Sequence, residues 1–330
     1  MMRVQRFIDM HIRKLLLAGF LAVSIFVGSG VQTGAQSSGG SGIQIIPTRT
    51  EISIGPGELR DVTLTLKNVT RSTIIAKGFI HDFEPDNVTG EPQIIVDPNT
   101  KSDFSLKDYV RGLQDYELQP NETKDVVVQF SIPPDAAPGG YFGAIRYAAV
   151  PKEQIESEGE RTVALTASVA SLVLIEIPGD VTESVRIDKV AVELGGQERS
   201  FFMQGPDKAS IQVSNTGNSF VKPFGIVTIK RGNKEVYSYQ LNNIGQRGNV
   251  LPKSSRTFKD DIKNVNTFGK YVITANVSYT DGGDVITVNK TFWVIPLWAL
   301  IVAGVVLLFI VLLILFIGLR LRARQHRVRR

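Results

Sequence analysis

From Leu297 to Leu319 the chain carries no charged residue. A helix rises about 1.5 Å per residue, so this stretch is long enough to cross the roughly 30 Å hydrocarbon core of a bilayer. Pro296 suits the first helical turn, where its missing N–H costs nothing. Trp293 and Trp298 fall at the level of an interfacial aromatic belt. The run ends in "RLRARQHRVRR", six arginines in eleven residues. Cationic flanks stay on the cytoplasmic side, so the pattern predicts a membrane helix over 295–319, a cytoplasmic basic tail over 320–330, and the bulk of the chain outside.

The other end reads as an export signal. Arg3, Arg6, Arg13 and Lys14 precede the apolar run "LLLAGFLAVSIFVG", and small residues follow, with Thr33 and Ala35 at the positions of a cleavage site. This predicts a signal over 1–35, and "SSGGSG" predicts a flexible spacer over 36–42.

These ends reverse the obvious meaning of the charge. The whole chain is +5, but the tail alone holds six arginines and residues 1–35 carry four cations against Asp9. The segment between them is therefore net acidic, and the arginines are explained as a topology signal that meets anionic head groups. Nothing calls for nucleic acid as a partner. The chain has no cysteine, which fits a bacterial surface better than an animal one, where disulfides staple most exported domains.

Between spacer and membrane the hydrophobic pattern has period two. In "DVTLTLKN" the residues Val62, Leu64 and Leu66 point one way and Thr63, Thr65 and Lys67 the other; "YVITANVSY" puts Tyr271, Ile273, Ala275, Val277 and Tyr279 on one face. Turn phrases punctuate the runs: "GPGE" at 55–58, "RGNK" at 231–234 and "DGGD" at 281–284. "SLKDYVRGL" (105–113) is the one stretch that reads as a short helix. The apolar run "TVALTASVASLVLIEIP" predicts a central strand or pair of strands buried on both faces, and the chain divides near Pro178. The fold class is an all-β ectodomain: a sandwich over 43–178, a second over 179–294, then the membrane helix. Two phrases recur, "LTLKNVT" with "IQVSNTG" and "LQPNETKDVVVQF" with "VLPKSSRTFKDDI", so the same sandwich is used twice.

Within the first sandwich, "IPPDAAPGGYFGAIRY" links two strands. Pro133, Pro134 and Pro138 remove donors, and Gly139 and Gly140 are expected to let the chain reverse. In the strand that follows, Tyr141, Ile145 and Tyr147 share one face, and Phe142, Ala144 and Ala148 the other; Arg146 is a lone cation among apolar neighbours. Tyr141, Phe142, Arg146 and Tyr147 are the candidate ligand-contact residues, with core packing the expected job of at least two of them.

The phrases "EISIGPGELRDVTLTLKNVT" and "LQPNETKDVVVQFSIPPDAAPGGYFGAIRY" resemble the first immunoglobulin-like domain of the WxL-interacting proteins of Gram-positive cell surfaces. The layout of signal, two sandwiches, membrane span and basic tail is similar too. The resemblance implies two tandem Ig-like sandwiches, the first binding peptidoglycan and the second engaging partner proteins. The family's Ala-Pro-Asn-Ser phrase is replaced here by "LPKSS" (251–255). The opening "PTRTEI" and "VTLTLKN" strands are also similar to those of periplasmic pilus chaperones.

Side chains for catalysis are scarce. Of three histidines, His11 lies in the signal and His326 in the tail, leaving His81 in "GFIHDFEPDNVTGEP", read as a solvated acidic loop after a strand. No catalytic, cofactor-binding or metal-binding residue is predicted, and no cofactor. The expected function is that of a non-enzymatic cell-surface binding or scaffold protein. Its first sandwich would contact cell-wall glycan or a surface protein. The alternatives are a membrane-tethered, chaperone-like assembly factor and an envelope enzyme with its site in loops.

Overall fold

The computed structural model describes residues 42–86, 88–97, 99–153, 167–243, 245–280 and 283–328, with side chains as far as Gly318. The expected signal, the spacer up to Ser41, and Asp281 and Gly282 of the "DGGD" turn lie outside them. Ten strands build the first sandwich: β1 (Ile43–Ile46), β2 (Arg49–Ser53), β3 (Leu59–Asn68), β4 (Ile74–Pro85), β5 (Pro92–Ile95), β6 (Val110–Arg111), β7 (Tyr116–Leu118), β8 (Thr123–Ser131), β9 (Gly139–Pro151) and β10 (Ala167–Ile177). One sheet runs β1-β3-β8-β6 and the other β2-β10-β9-β4-β5, with β7 also pairing β4.

The second sandwich comprises β11 (Val185–Leu194), β12 (Gln197–Glu198), β13 (Phe201–Phe202), β14 (Lys208–Asn215), β15 (Phe224–Arg231), β16 (Lys234–Leu241), β17 (Ser254–Asp261), β18 (Gly269–Ser278) and β19 (Ile286–Val294). Its sheets run β12-β11-β14-β17 and β13-β19-β18-β15-β16. One helix, α1 (Leu297–Val328), follows. Its apolar part, Leu297–Gly318, is 22 residues, about 33 Å at the helical rise and long enough to cross a membrane.

The two-residue period does what it promises. Val62, Leu64 and Leu66 of β3 are buried against Val126, Val128 and Phe130 of β8, while Thr63 and Lys67 face water. In β18, Tyr271, Ile273, Ala275 and Val277 are fully buried in the second core. With no disulfide available, cohesion comes from these cores, each fully buried Val, Leu, Ile or Phe stabilising by about 1.5–3 kcal/mol.

The internal repeat extends to single hydrogen bonds. Asn68 ends β3 and Asn215 ends β14, both buried. Asn68 Nδ2 donates to the carbonyls of Ser72, Leu118 and Gln119 at 2.8, 3.1 and 2.9 Å. Asn215 Nδ2 donates to Ser219 and Val250 at 2.6 and 3.0 Å. Each asparagine thus clamps its own turn to the Pro-containing turn of the neighbouring strand. Those turns match as well, since Asn121 and Lys253, each just after a proline, have φ of 61° and 56°.

Each sandwich also passes the chain early from one sheet to the other. Pro47 has no N–H to give, so the β1 ladder stops at Ile46 and the chain crosses to run parallel to β10 as β2, Arg49 opposite Leu172 and Ser53 opposite Glu176. In the second sandwich β11 first turns back as β12, and the separate two-residue β13 then runs parallel to β19, with Phe201 opposite Trp293.

Two expectations are corrected. Residues 105–113 form turns and the two-residue β6, not a helix. Phe142 N–H donates to Phe104 C=O at 2.8 Å and Ser105 bridges Phe142, so this segment is held extended against β9. Gly139 and Gly140 do not reverse the chain: β9 already begins at Gly139. They admit the second sandwich instead. A Cβ on Gly139 would lie 2.8 Å from the Asn218 carbonyl oxygen, and one on Gly140 would lie 2.9 Å from the Phe220 ring. Gly140 N–H donates to that same carbonyl at 2.8 Å.

Candidate binding site on the first sandwich

β9 and β10 carry the residues of interest, and sheet register decides which way each one points. Tyr147 and Ile145 face the sandwich core and are fully buried. Burial also pushes the Tyr147 phenol well above its usual range. Tyr141, on the same face, is half-buried; its ring meets Tyr109 edge-on at 5.4 Å and its hydroxyl donates to Ala137 C=O at 3.1 Å. Burial, with Tyr141 alongside, raises the Tyr109 phenol to about 12.

The opposite face of this sheet is not simply solvent. Phe142, Ala144 and Leu174 pack with Phe83 in a separate cluster that Leu251 and Phe220 of the second sandwich help to close. Phe142 is buried there, its ring 4.9 Å from Phe83 and 5.7 Å from Phe104. Two of the four candidates, Phe142 and Tyr147, are therefore interior residues with no surface to offer a ligand. Tyr141 and Arg146 keep part of theirs.

His81 and Asp82 are corrected too. Both are buried, not solvated, because the segment after β5 folds back over them. Asp82 accepts from Ser102 N–H at 2.9 Å and pairs with Lys107 at 3.4 Å. His81 Nδ1 lies 3.2 Å from Ile95 C=O, while its Nε2 is buried without a partner. Burial lowers the His81 pKa, and Arg146 and Lys107 push the same way against the Ile95 contact and Asp82. The true solvated turn comes later, where Asp86 accepts from the N–H groups of Val88 and Thr89.

Above the Phe142 cluster the same face opens to water. A groove of about 410 Å³ is lined by Ile94, Val96, Arg146, Ser168, Val169 and Ala170. Arg146 lies with its guanidinium 5.8 Å from the centroid of the Phe79 ring. Phe79 and Val96 are 41 % and 64 % exposed. Among the described residues no carboxylate pairs with Arg146.

Along one edge of the groove β10 has no hydrogen-bonded strand among the described residues. β2 covers only Leu172–Glu176 of β10. Leu172 N–H donates to Thr48 C=O at 2.9 Å, and main-chain groups of a strand alternate between its two edges. The N–H and C=O of Ser168 and Ala170 therefore point to the edge that β2 occupies lower down, where no described strand is hydrogen-bonded to them. The open part of β19 is blunted by Asn289 and Lys290, as free edges usually are, whereas "ASVAS" (167–171) carries no charge.

The seam between the sandwiches is polar at its rim. Glu51 accepts from Asn249 at 2.9 Å and pairs with Arg49 at 2.8 Å and with Lys222; Arg49 also donates to Arg247 C=O at 3.0 Å. Ser219 donates to Glu176 at 3.0 Å. A larger groove, about 760 Å³, lies on the outer face of the second sandwich among Phe224, Ile226, Gln240 and Asn276. The free β10 edge was missed in the sequence, where only the absence of charge in 167–171 signals it.

No protein-family model and no curated protein matches the chain. The likeness to the WxL-interacting proteins therefore rests on the sequence phrases alone. Among solved structures the chain is similar to the class 5 fimbriae chaperone CfaA, at 13 % identity and a TM-score of 0.39 over 76 % of this chain and 98 % of that one. It is similar to the E. coli chaperone DraB at 16 % identity, with a TM-score of 0.33 over 76 % and 96 %. The Pseudomonas aeruginosa CupB2 chaperone aligns at 12 % identity, with a TM-score of 0.33 over 74 % and 97 %.

Proposed function

We propose that this chain is a membrane-anchored binding protein of the bacterial surface that takes an extended segment of a partner protein along the free half of β10. The ectodomain, sandwiches over 43–178 and 179–294, stands outside the membrane on α1, with the basic tail in the cytoplasm. The observation that carries the reading is the edge at Ser168 and Ala170, unpaired among the described residues, uncharged and bordered by the Arg146 groove. An added strand gains main-chain hydrogen bonds from such an edge and side-chain selectivity from the pockets beside it. Arg146, which no carboxylate among the described residues pairs, favours an acidic residue or chain terminus in the partner. This is binding work of the kind an assembly chaperone or a surface scaffold performs, and it needs no catalytic group.

The test is site-specific photo-crosslinking in cells that produce the full chain. A photoreactive residue at Ala170 is expected to give a discrete protein adduct that Ser168→Pro removes, because proline there blocks the open edge and leaves the β9 ladder intact. The same adduct from Val127, exposed on the other sheet, would sink the proposal.

Cell-wall glycan is the second reading, favoured by the exposed Phe79 ring beside Arg146. Saturable pelleting of the full chain with purified sacculi, lost on Phe79→Ser, would replace the protein partner with glycan.

A further inference from the structure

The second sandwich exposes large apolar side chains at the end where β19 enters the helix. Phe201 and Met203 are each 64 % exposed, Phe268 48 % and Trp293 37 %. They come from three separate parts of the sequence, and the fold gathers them. Phe201 lies opposite Trp293, which lies opposite Lys270, in one row across β13, β19 and β18. Ile295 N–H donates to Phe202 C=O at 2.7 Å, tying β13 to the last residues before the helix. The Phe268 ring lies 6.3 Å from that of Trp298, already in α1. Cations frame the patch: Lys270 stands in the row itself, and Arg231 donates to Phe268 C=O at 3.5 Å.

Exposed apolar groups scattered singly are ordinary, but a gathered patch has an occupant. The repeat indicates which. Gly139 opens β9 opposite Ile177, and Gly269 opens β18 opposite Val294, so the two glycines mark the same end of each sandwich. In the first sandwich that end is covered by the second sandwich, whose β14–β15 loop seats Asn218 and Phe220 on it. In the second, the next element is the apolar helix, and the patch runs without a break onto exposed Leu297 and Trp298. Aromatic rings flanked by lysine and arginine suit the lipid head-group layer.

We propose that the base of the second sandwich rests on the bilayer that α1 crosses, with Phe201, Met203 and Phe268 set into the head-group layer beside the two tryptophans. This rests on the reading of α1 as a membrane span. It makes the membrane a second contact surface that fixes the height and tilt of the ectodomain.

The chain has only two tryptophans, so fluorescence can test this position by position. The full chain is placed in nanodiscs of phosphatidylcholine and phosphatidylglycerol, with and without a brominated phosphatidylcholine that quenches nearby indoles. Trp293→Phe leaves Trp298 as a reporter of the span. Trp293→Phe with Trp298→Phe and Phe201→Trp reports the base. The same background with Val127→Trp reports a site exposed on the first sandwich. Loss of emission at 298 and 201, with none at 127, is the expected result. Met203→Ser with Phe268→Ser should then weaken quenching at 201 and leave that at 298 unchanged. Quenching at 298 with 201 as bright as 127 would overturn the docking and leave the span standing. No quenching at 298 would overturn the span and the docking with it.

Discussion

Tyr141 and Tyr271 make the same hydrogen bond in the two sandwiches. Each stands two residues into its strand, β9 or β18, and each hydroxyl donates to the carbonyl four residues upstream, Ala137 at 3.1 Å and Thr267 at 2.8 Å. This is the corner bond of immunoglobulin-like sandwiches, made here without the cysteine that usually follows. It accounts for Tyr141 without a ligand. Tyr271→Phe should cost about 1–2 kcal/mol, since the tyrosine is buried and the Thr267 carbonyl loses its partner. Tyr141→Phe, nearer to solvent, should cost about half as much by the same reasoning. Urea unfolding of the full chain in detergent would compare them; equal effects would contradict the difference in burial.

The asparagine clamps carry a larger penalty. Asn68→Ala removes the amide donor from Leu118 C=O and the acceptor from Thr70 N–H, while Ser72 and Gln119 C=O keep Thr70 Oγ1 and Glu122 N–H. A loss of about 1–3 kcal/mol is expected from the buried amide bonds that are lost. Asn215→Ala should behave alike in the second sandwich, and thermal melting followed by near-ultraviolet circular dichroism would show it. A change under about 1 kcal/mol in either would mean that water replaces the amide.

Much of this was legible in the sequence. The faces of β3, β9 and β18 follow from alternation, and Arg146 stands out as the one cation in "YFGAIRYAAV". The repeated Asn and Pro phrases mark the same turns twice. What stayed hidden depends on coverings that come from far along the chain. Nothing local says that Phe220 and Leu251 will close over Phe142, or that the segment after β5 will bury His81 and Asp82. The double glycine shows the difficulty best: Gly139 and Gly140 read locally as a turn, but the reason for them is a neighbour about eighty residues on.

Burial of His81 makes stability depend on pH. Its unfolded value is near 6.5 and its folded value is lower. As pH falls through 6.5 the unfolded chain takes up a proton that the folded chain refuses, so stability declines until pH passes the folded value. The slope must stay within the roughly 1.4 kcal/mol per pH unit that one proton allows. Denaturant midpoints between pH 7 and 5 should fall for the wild type and stay flatter for His81→Gln. Asp86 and Asp97, held below the usual carboxylate range mainly by backbone hydrogen bonds, act only at more acid pH.

The seam is open to a one-carbon test. A Cβ on Gly140 would meet both the ring and the backbone nitrogen of Phe220 at 2.9 and 3.0 Å. Gly140→Ala should therefore cost about 1–3 kcal/mol as an overpacked contact. It should also speed protease cleavage in the 178–184 linker. Unchanged cleavage would mean that the loop carrying Phe220 yields at no expense to the seam.

Gly140 has a counterpart in the repeat, and the counterpart is Lys270, each one residue after the glycine that opens its strand. The pair gives the stack a direction, like storeys that differ only in what their floors must bear. A glycine marks a storey with another sandwich beneath it, and a lysine marks the last one. A chain lengthened by a further copy of the second sandwich would have to lose the lysine from the storey above, or its new joint would not close.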